Sequence, residues 1–182
     1  MDVLNLYRET GAMLEGHFLL RSGRHSPKFL QSTTLLQHPI YAEAVGEALG
    51  ELFDELELDF VIGPAMGGVT LAFVTAKVLG VRALFAEKDG QGGMLVREGL
   101  TVNPGERFLA VEDVVTTGGS VGRAIQAAEA KGAKCVAVGA IIDRSQGAEF
   151  GVPFKAITRL EFPTYEASSC PLCAQGVPLQ EV

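Results

Sequence analysis

Positive charge, cysteine and uninterrupted apolar sequence are all in short supply in this chain. Its 15 lysines and arginines face 22 acidic residues, a formal charge of −7, and the acids are interspersed rather than gathered into a tail. A surface of that sign disfavours nucleic acid as the main partner. An anionic ligand has to be met locally instead, by a few lysines, arginines, backbone N–H groups or a metal. No apolar run approaches the roughly 18 residues of a membrane span, so no membrane partner is expected. The segment Met1 to Thr10 has neither a basic region nor an unbroken apolar stretch, and no signal peptide is expected there. Three cysteines, an odd number, suit a reducing cytoplasm better than a disulfide framework. Cys170 and Cys173 form a lone CxxC, with no second pair and no histidine nearby in sequence. It reads as an inert turn in the tail rather than a zinc or redox site, unless two chains pool their pairs into one four-thiolate site.

What is present suffices for one substantial core: 182 residues at 47% hydrophobic content are too few for two full-sized domains. Val3, Leu4, Tyr7 and Leu14 are spaced for one face of an N-terminal helix that Gly11 and Gly16 weaken or end. Phe18 to Gln31, rich in Arg, Ser, Gly and Pro, reads as a short strand and loop forming a cap. A helix begins at Pro39 and carries Tyr41, Ala44, Val45, Ala48, Leu49, Leu52 and Phe53 at helical spacing. Strand, glycine-rich turn and helix then alternate. Apolar strands are expected at Phe60 to Ile62, Val81 to Ala86, Phe108 to Val111, Cys135 to Ile142 and near Ala156 to Leu160. Helices follow the first and third, ending at Gly80 and Gly132. Glu87 to Gly99, with glycine at 90, 92, 93 and 99, suits a mobile loop or loose hairpin. The tail, with Pro163, Pro171 and Pro178, reads as irregular. The alternation implies an α/β fold with a mostly parallel sheet between helices. The core spans about 39–160, under a small hood made from about 1–38 and the tail.

In an open parallel sheet, ligands collect beyond the carboxyl ends of the strands. Val111-Glu112-Asp113-Val114-Val115-Thr116-Thr117-Gly118-Gly119-Ser120 is such an end. Two adjacent carboxylates close a buried strand, where they are costly unless a cation or hydroxyl groups meet them. The turn after them offers free backbone N–H groups, hydroxyls and the positive end of a helix dipole, a cradle for one phosphate. An ordinary helix cap would explain the turn but not the paired acids.

This segment resembles the phosphoribosyl pyrophosphate motif of the type I phosphoribosyltransferases nearly position by position, Gly119 being an allowed small variant. The resemblance implies the Rossmann-like fold of that family. It also implies that Glu112 and Asp113 hold the ribose 2′ and 3′ hydroxyls, with Val114 and Val115 as spacers, while Thr116, Thr117, Gly118, Gly119 and Ser120 grip the 5′-phosphate. Gly63-Pro64-Ala65-Met66-Gly67-Gly68 resembles the family's pyrophosphate loop. It departs at Gly67, where many orotate enzymes carry lysine, so Ala65, Met66 and Gly67 would bind through backbone N–H groups. Glu87 to Gly93 resembles the mobile catalytic loop, but it is shorter and lacks the histidine and several lysines. Lys88 is the residue carried over as catalytic, and Arg97 is a substitute cation.

Two further segments narrow the base. Leu20-Arg21-Ser22-Gly23-Arg24-His25-Ser26-Pro27-Lys28-Phe29-Leu30 is similar to the N-terminal signature of orotate phosphoribosyltransferases. By that similarity Arg21 stands for a base-site lysine, and Phe29 and Leu30 for two aromatics bordering orotate. Ile141-Ile142-Asp143-Arg144-Ser145 ends a buried strand with an arginine whose planar guanidinium suits a carboxylate or uracil-like edge. In the family an Asp-Arg here contacts orotate, as Thr116 is also expected to do. A strand-end salt bridge between Asp143 and Arg144 is the structural alternative.

The resemblance implies transfer of the phosphoribosyl group to orotate in pyrimidine biosynthesis, giving orotidine monophosphate and pyrophosphate. It further implies magnesium bound through the sugar donor, with Glu112 and Asp113 as possible ligands, and a homodimer whose sites share residues. Such a reaction needs no covalent nucleophile, so the absence of a Ser-His-Asp or Cys-His arrangement is no obstacle. His17, His25 and His38 are assigned no acid or base role. Rival readings are a phosphoribosyltransferase for another base, which the Arg21 to Leu30 segment opposes, and a donor-sensing regulator of nucleic acid. The regulator should carry a basic face, and this chain is acidic.

Overall fold

The computed structural model describes residues 1–20 and 22–182. Asp2 opens the first helix by accepting a hydrogen bond from the Asn5 N–H, and α1 (Val3–Glu9) buries Val3 and Tyr7. The helix stops before Gly11, whose φ is 70°, so Leu14 does not extend its apolar face as its spacing suggested. Leu14 belongs to β1 (Met13–Leu19), which pairs antiparallel with β2 (His25–Leu30). The short α2 (Ser32–Leu36) and α3 (Pro39–Gly50) follow, α3 with proline in its first turn as expected.

The large sheet then forms. β3 (Phe60–Pro64) leads into α4 (Gly67–Leu79) and β4 (Arg82–Lys88), after which β5 (Met94–Val96) folds back on β4. β6 (Arg107–Val115), α5 (Gly119–Glu129), β7 (Lys134–Asp143) and β8 (Phe154–Arg159) complete it. The order is β5-β4-β3-β6-β7-β8, parallel except for the β4–β5 hairpin. The Glu87 to Gly99 segment is therefore a hairpin, one of the two forms its glycines allowed.

The tail differs from its sequence reading. Its prolines suggested irregular chain, yet it forms a 3₁₀ turn (Ala167–Ser169), α6 (Pro171–Ala174) and β9 (Gln180–Glu181). β9 adds to β1 in parallel, giving a small sheet ordered β2-β1-β9.

Strand alternation explains how both faces of the large sheet are covered. Val61, Leu109, Val111 and Ile141 pack with α3 and α4 on one side. Phe60, Ile62, Phe108, Ala110, Val138 and Ala140 pack with Val121, Ala124 and Ala128 of α5 on the other. Each fully buried side chain of this size contributes roughly 1.5–3 kcal/mol. Phe60 and Phe108 stack at 5.0 Å between centroids across neighbouring strands.

Chain order determines where a ligand fits. After β3 the sheet grows in one direction through β4, then returns to the other side of β3 with β6. The loops leaving β3 and β6 diverge at that reversal and open a crevice. These two loops carry the glycine-rich turns, and the paired acids lie in β6 just before the second of them.

Candidate active site

β6 is buried from Phe108 to Val111 and half-buried from Glu112 to Val114. Its ladder with β3 covers Phe60 to Ile62 opposite Phe108 to Ala110, so the acids lie beyond the shared pairing. Glu112 Oε2 accepts a hydrogen bond of 3.1 Å from the Val121 N–H in the first turn of α5. Burial, and then the charge of Asp113, push the Glu112 carboxyl up to about 7. Asp113 faces the other loop: a Cβ added at Gly67 would lie 3.4 Å from its Oδ1. Behind it, the Tyr7 hydroxyl shares a 2.7 Å hydrogen bond with Ser32. Burial raises the Tyr7 pKa, and Asp113's charge adds to the effect.

The turn after β6 has the form an anion requires. Gly118 caps α5 with φ 75°, and a Cβ there would stand 2.7 Å from the Phe150 ring. Both facts demand glycine. Thr117 Oγ1 accepts from the Gly119 N–H at 3.4 Å, and the first turn of α5 contains no acidic residue of its own. Thr116, Thr117 and Gly119 are exposed and Ser120 is half-buried. Hydroxyls and N–H groups therefore converge at the positive end of an 11-residue helix.

The β3 loop closes tightly on itself. A Cβ at Gly63 would come 2.3 Å from Gly68 O, and one at Gly68 would come 2.7 Å from Pro64 Cδ. Ala65 donates its N–H to Ala86 O at 2.7 Å, the Ala65–Met66 peptide is cis, and Met66 is 79% exposed. Lys88 ends β4 beside this loop's neighbouring strand and is exposed. It makes none of the ion pairs found among the described residues. Arg97, the substitute cation, instead pairs with Glu87 at 2.8 Å. The hairpin tip is organised by Asp89, whose Oδ1 accepts from the N–H groups of Gln91 and Gly93.

On the far side of β6, Arg144 follows the end of β7. Its N–H donates to Val115 O at 2.8 Å, and its guanidinium carbon lies 4.7 Å from the Phe162 ring centroid. The salt bridge to Asp143 does not form. The Asp143 carboxylate accepts from the Ser145 N–H and Oγ at 2.8 and 2.6 Å. Among the described residues, Arg144 Nε is buried without a hydrogen-bond partner. Lys28 Nζ lies 5.9 Å from the same Phe162 ring and pairs with Glu15 at 2.8 Å. Phe162 joins the small sheet to the end of β7, and the sequence reading overlooked it along with Lys28. An aromatic beside Pro163 in a segment read as irregular was the available signal. Phe29 is half-buried and packs 5.9 Å from Phe18. Leu30, expected to border the base, is in the hydrophobic core at 6% exposure. Arg21 lies outside the described residues.

The CxxC pair also changes meaning. No histidine is near it in sequence, but His17 and His25 are beside it in space, and the four side chains gather their ligand atoms within 4.8 Å of one another.

Residues 31–155 match the phosphoribosyl transferase domain model. The chain is 72% identical, over its whole length and that of the relative, to an orotate phosphoribosyltransferase of Thermus thermophilus. It is 47% identical to one of Thermotoga maritima, covering 98% of this chain and 96% of the other. A crystal structure of orotate phosphoribosyltransferase from Aeropyrum pernix superposes with a TM-score of 0.75 at 26% identity, over 87% of this chain and 93% of that one. The orotate phosphoribosyltransferase of Mycobacterium tuberculosis H37Rv, in complex with inorganic phosphate, gives 0.73 at 25% identity, over 87% and 94%. With its paired acids and anion cradle set at the sheet's reversal, the chain belongs to the orotate phosphoribosyltransferase family.

Proposed function

We propose that the crevice at the β3/β6 reversal transfers the phosphoribosyl group of 5-phosphoribosyl 1-pyrophosphate to orotate, using the groups gathered there. The observation that carries this reading is the juxtaposition of two half-buried carboxylates with a hydroxyl-rich helix N-terminus that has no acidic residue in its first turn and, one strand away, a half-buried arginine whose Nε lacks a hydrogen-bond partner among the described residues. The carboxylates suit ribose hydroxyls, the helix end suits the 5′-phosphate, and the arginine suits the carboxylate or carbonyl edge of a pyrimidine.

In this reaction a ring nitrogen of orotate forms a bond to C1′ as the bond from C1′ to the pyrophosphate oxygen breaks. Positive charge grows on the ribose meanwhile. Asp113 and ionised Glu112 hold the hydroxyls and oppose that charge. The backbone of Ala65 to Gly67 and the ammonium of Lys88 receive the departing pyrophosphate. Arg144, with Thr116 at its side, orients the base, and Phe29 rather than the core residue Leu30 supplies a ring to border it. Magnesium fits this site as an ion carried on the donor: Glu112 and Asp113 provide hard oxygen ligands, but two adjacent carboxylates are no cage by themselves. When bound, it would neutralise the pyrophosphate.

The small sheet and tail act as a hood over the base. Lys88 serves the site of a second copy in a homodimer. Exposed Ile40 and Phe73, at 73% and 64%, support such an assembly, as large apolar side chains in water often mark an interface. A cytoplasmic setting accords with three free cysteines, and among the described residues no helix is long and apolar enough to cross a membrane.

The test is consumption of orotate by the purified protein with the donor and magnesium supplied together or singly. Turnover is expected only with both. Orotate loss without the donor, or no loss with both, would overturn the assignment.

A further inference from the structure

Four side chains that the catalytic reading leaves unused, His17, His25, Cys170 and Cys173, meet where the tail crosses the small sheet. Leu19 pairs with His25 across the β1–β2 hairpin. His17 lies within the register shift between Glu15 and Phe18, and its Nε2 comes 2.9 Å from His25 Nδ1, so both imidazoles meet beside that hairpin. The tail brings Cys170 and Cys173 to the same face. α6 begins between them with Pro171, and the one-turn spacing places both sulfurs on one side.

The distances describe a coordination shell. His17 Nε2 is 3.5 Å from Cys170 Sγ and 3.7 Å from Cys173 Sγ, and His25 Nδ1 is 3.4 Å from Cys173 Sγ. In a tetrahedral zinc site, bonds of about 2.3 Å to sulfur and 2.0–2.1 Å to nitrogen put neighbouring nitrogen and sulfur ligands about 3.5 Å apart. The two imidazole nitrogens are closer, at 2.9 Å, and would part by about half an ångström around an ion. His17 Nδ1 lies 2.8 Å from Val177 O. A carbonyl only accepts, so Nδ1 carries the proton and Nε2 presents its lone pair to the cluster. Donation of the second ring N–H to a backbone carbonyl is the usual support of a metal-bound histidine. His17, His25 and Cys170 are at most 5% exposed, so three of the four ligands are shielded from water.

We propose that His17, His25, Cys170 and Cys173 of one chain bind a single structural zinc ion. Four protein ligands of the N₂S₂ type fill a tetrahedral shell and leave no position for substrate, which separates this site from the chemistry. Its effect is mechanical. The ion ties the tail to the hairpin that carries Lys28 and Phe29, closing a loop of well over a hundred residues. The tail is also held there by the two-residue β9, the Tyr165–His25 bridge, the His17–Val177 hydrogen bond and the Arg24 contacts with Thr164 and Glu166.

The experiment measures zinc per chain in full-length protein purified without chelator, beside the Cys170→Ser and Cys173→Ser variants. One equivalent in the wild type and none in either variant is expected. Substitution by cobalt should give the intense visible bands of a tetrahedral thiolate site, and removal of the metal should lower the melting temperature and expose the tail to protease. Cys173 is exposed, so its serine variant should fold even if the Cys170 variant does not. A wild type that neither retains nor takes up zinc would overturn the proposal. So would half an equivalent per chain, the mark of a site pooled between copies, or a Cys170–Cys173 disulfide in protein isolated from a reducing cytoplasm.

Discussion

Glu112 is held at a strand end where water is scarce and Asp113 is adjacent, and its protonation should be visible in the stability of the free protein. Its carboxyl titrates near 4.5 when unfolded and is pushed up to about 7 when folded. Between those values the unfolded chain releases a proton that the folded one retains, so stability falls as pH rises through the window. Glu112→Gln removes that loss. Without donor or metal, the variant should gain on the order of 2–3 kcal/mol above pH 7 and almost nothing below pH 4.5, read from thermal melts. An equal shift at both extremes would mean that the carboxylate is not strained by its surroundings. Arg144 carries the complementary expectation at the base. Its guanidinium is buried enough to lower its pKa, and its Nε lacks a partner. Replacing it with alanine should raise KM for orotate about tenfold or more, the scale of a charge-assisted hydrogen bond of roughly 1.5–3 kcal/mol. Affinity for the sugar donor should be unchanged. Equal losses for both substrates would remove Arg144 from the base site. That arginine was legible in the sequence as the residue after a buried strand. Its neighbour Phe162 was not, because the contact joins the core to a tail whose prolines concealed its order.

The proposed phosphate cradle depends on one glycine at the start of α5. Gly118→Ala must place a side chain at φ 75° and 2.7 Å from Phe150. The backbone conformation alone costs about 1–2 kcal/mol, and the clash adds to it. Phe150→Ala should relieve the clash but not the backbone cost, so a double-mutant cycle should show favourable coupling. Simple additivity would mean that Phe150 yields freely. At this scale the sequence was most readable where burial is complete. β3, β6 and β7 are covered on both faces and appear as near-continuous apolar runs. Glycine punctuation also marked the end of α4, where Gly80 adopts φ 68°. Short elements were harder. Leu14 falls at helical spacing from Tyr7, yet the chain has already turned at Gly11 into β1. α6 and β9, four and two residues long, are too brief to show a period. The histidines that approach the CxxC are about 150 residues away in sequence, and only the pairing of hairpin and tail brings them together.

For the whole molecule, the β4–β5 hairpin raises the question of which site Lys88 serves. If it crosses to a second copy, Lys88→Ala and Asp113→Ala homodimers are each nearly inactive, but each mixed dimer contains one intact site. Random reassembly makes half the dimers mixed, so about a quarter of wild-type activity should return, by the pairing arithmetic of a two-fold dimer. No recovery despite verified subunit exchange would place Lys88 in its own chain's site or outside catalysis. One crevice at the sheet's reversal is proposed to bind the sugar donor, and the groups between β7 and the small sheet to select orotate. The most direct measurement is kcat/KM for orotate, uracil, adenine and hypoxanthine, with donor and magnesium saturating. Orotate should exceed each of the others by at least about a hundredfold, since an arginine with a buried Nε rejects bases that leave it unpaired. Equal or better turnover of uracil, adenine or hypoxanthine would contradict the assignment of the base site.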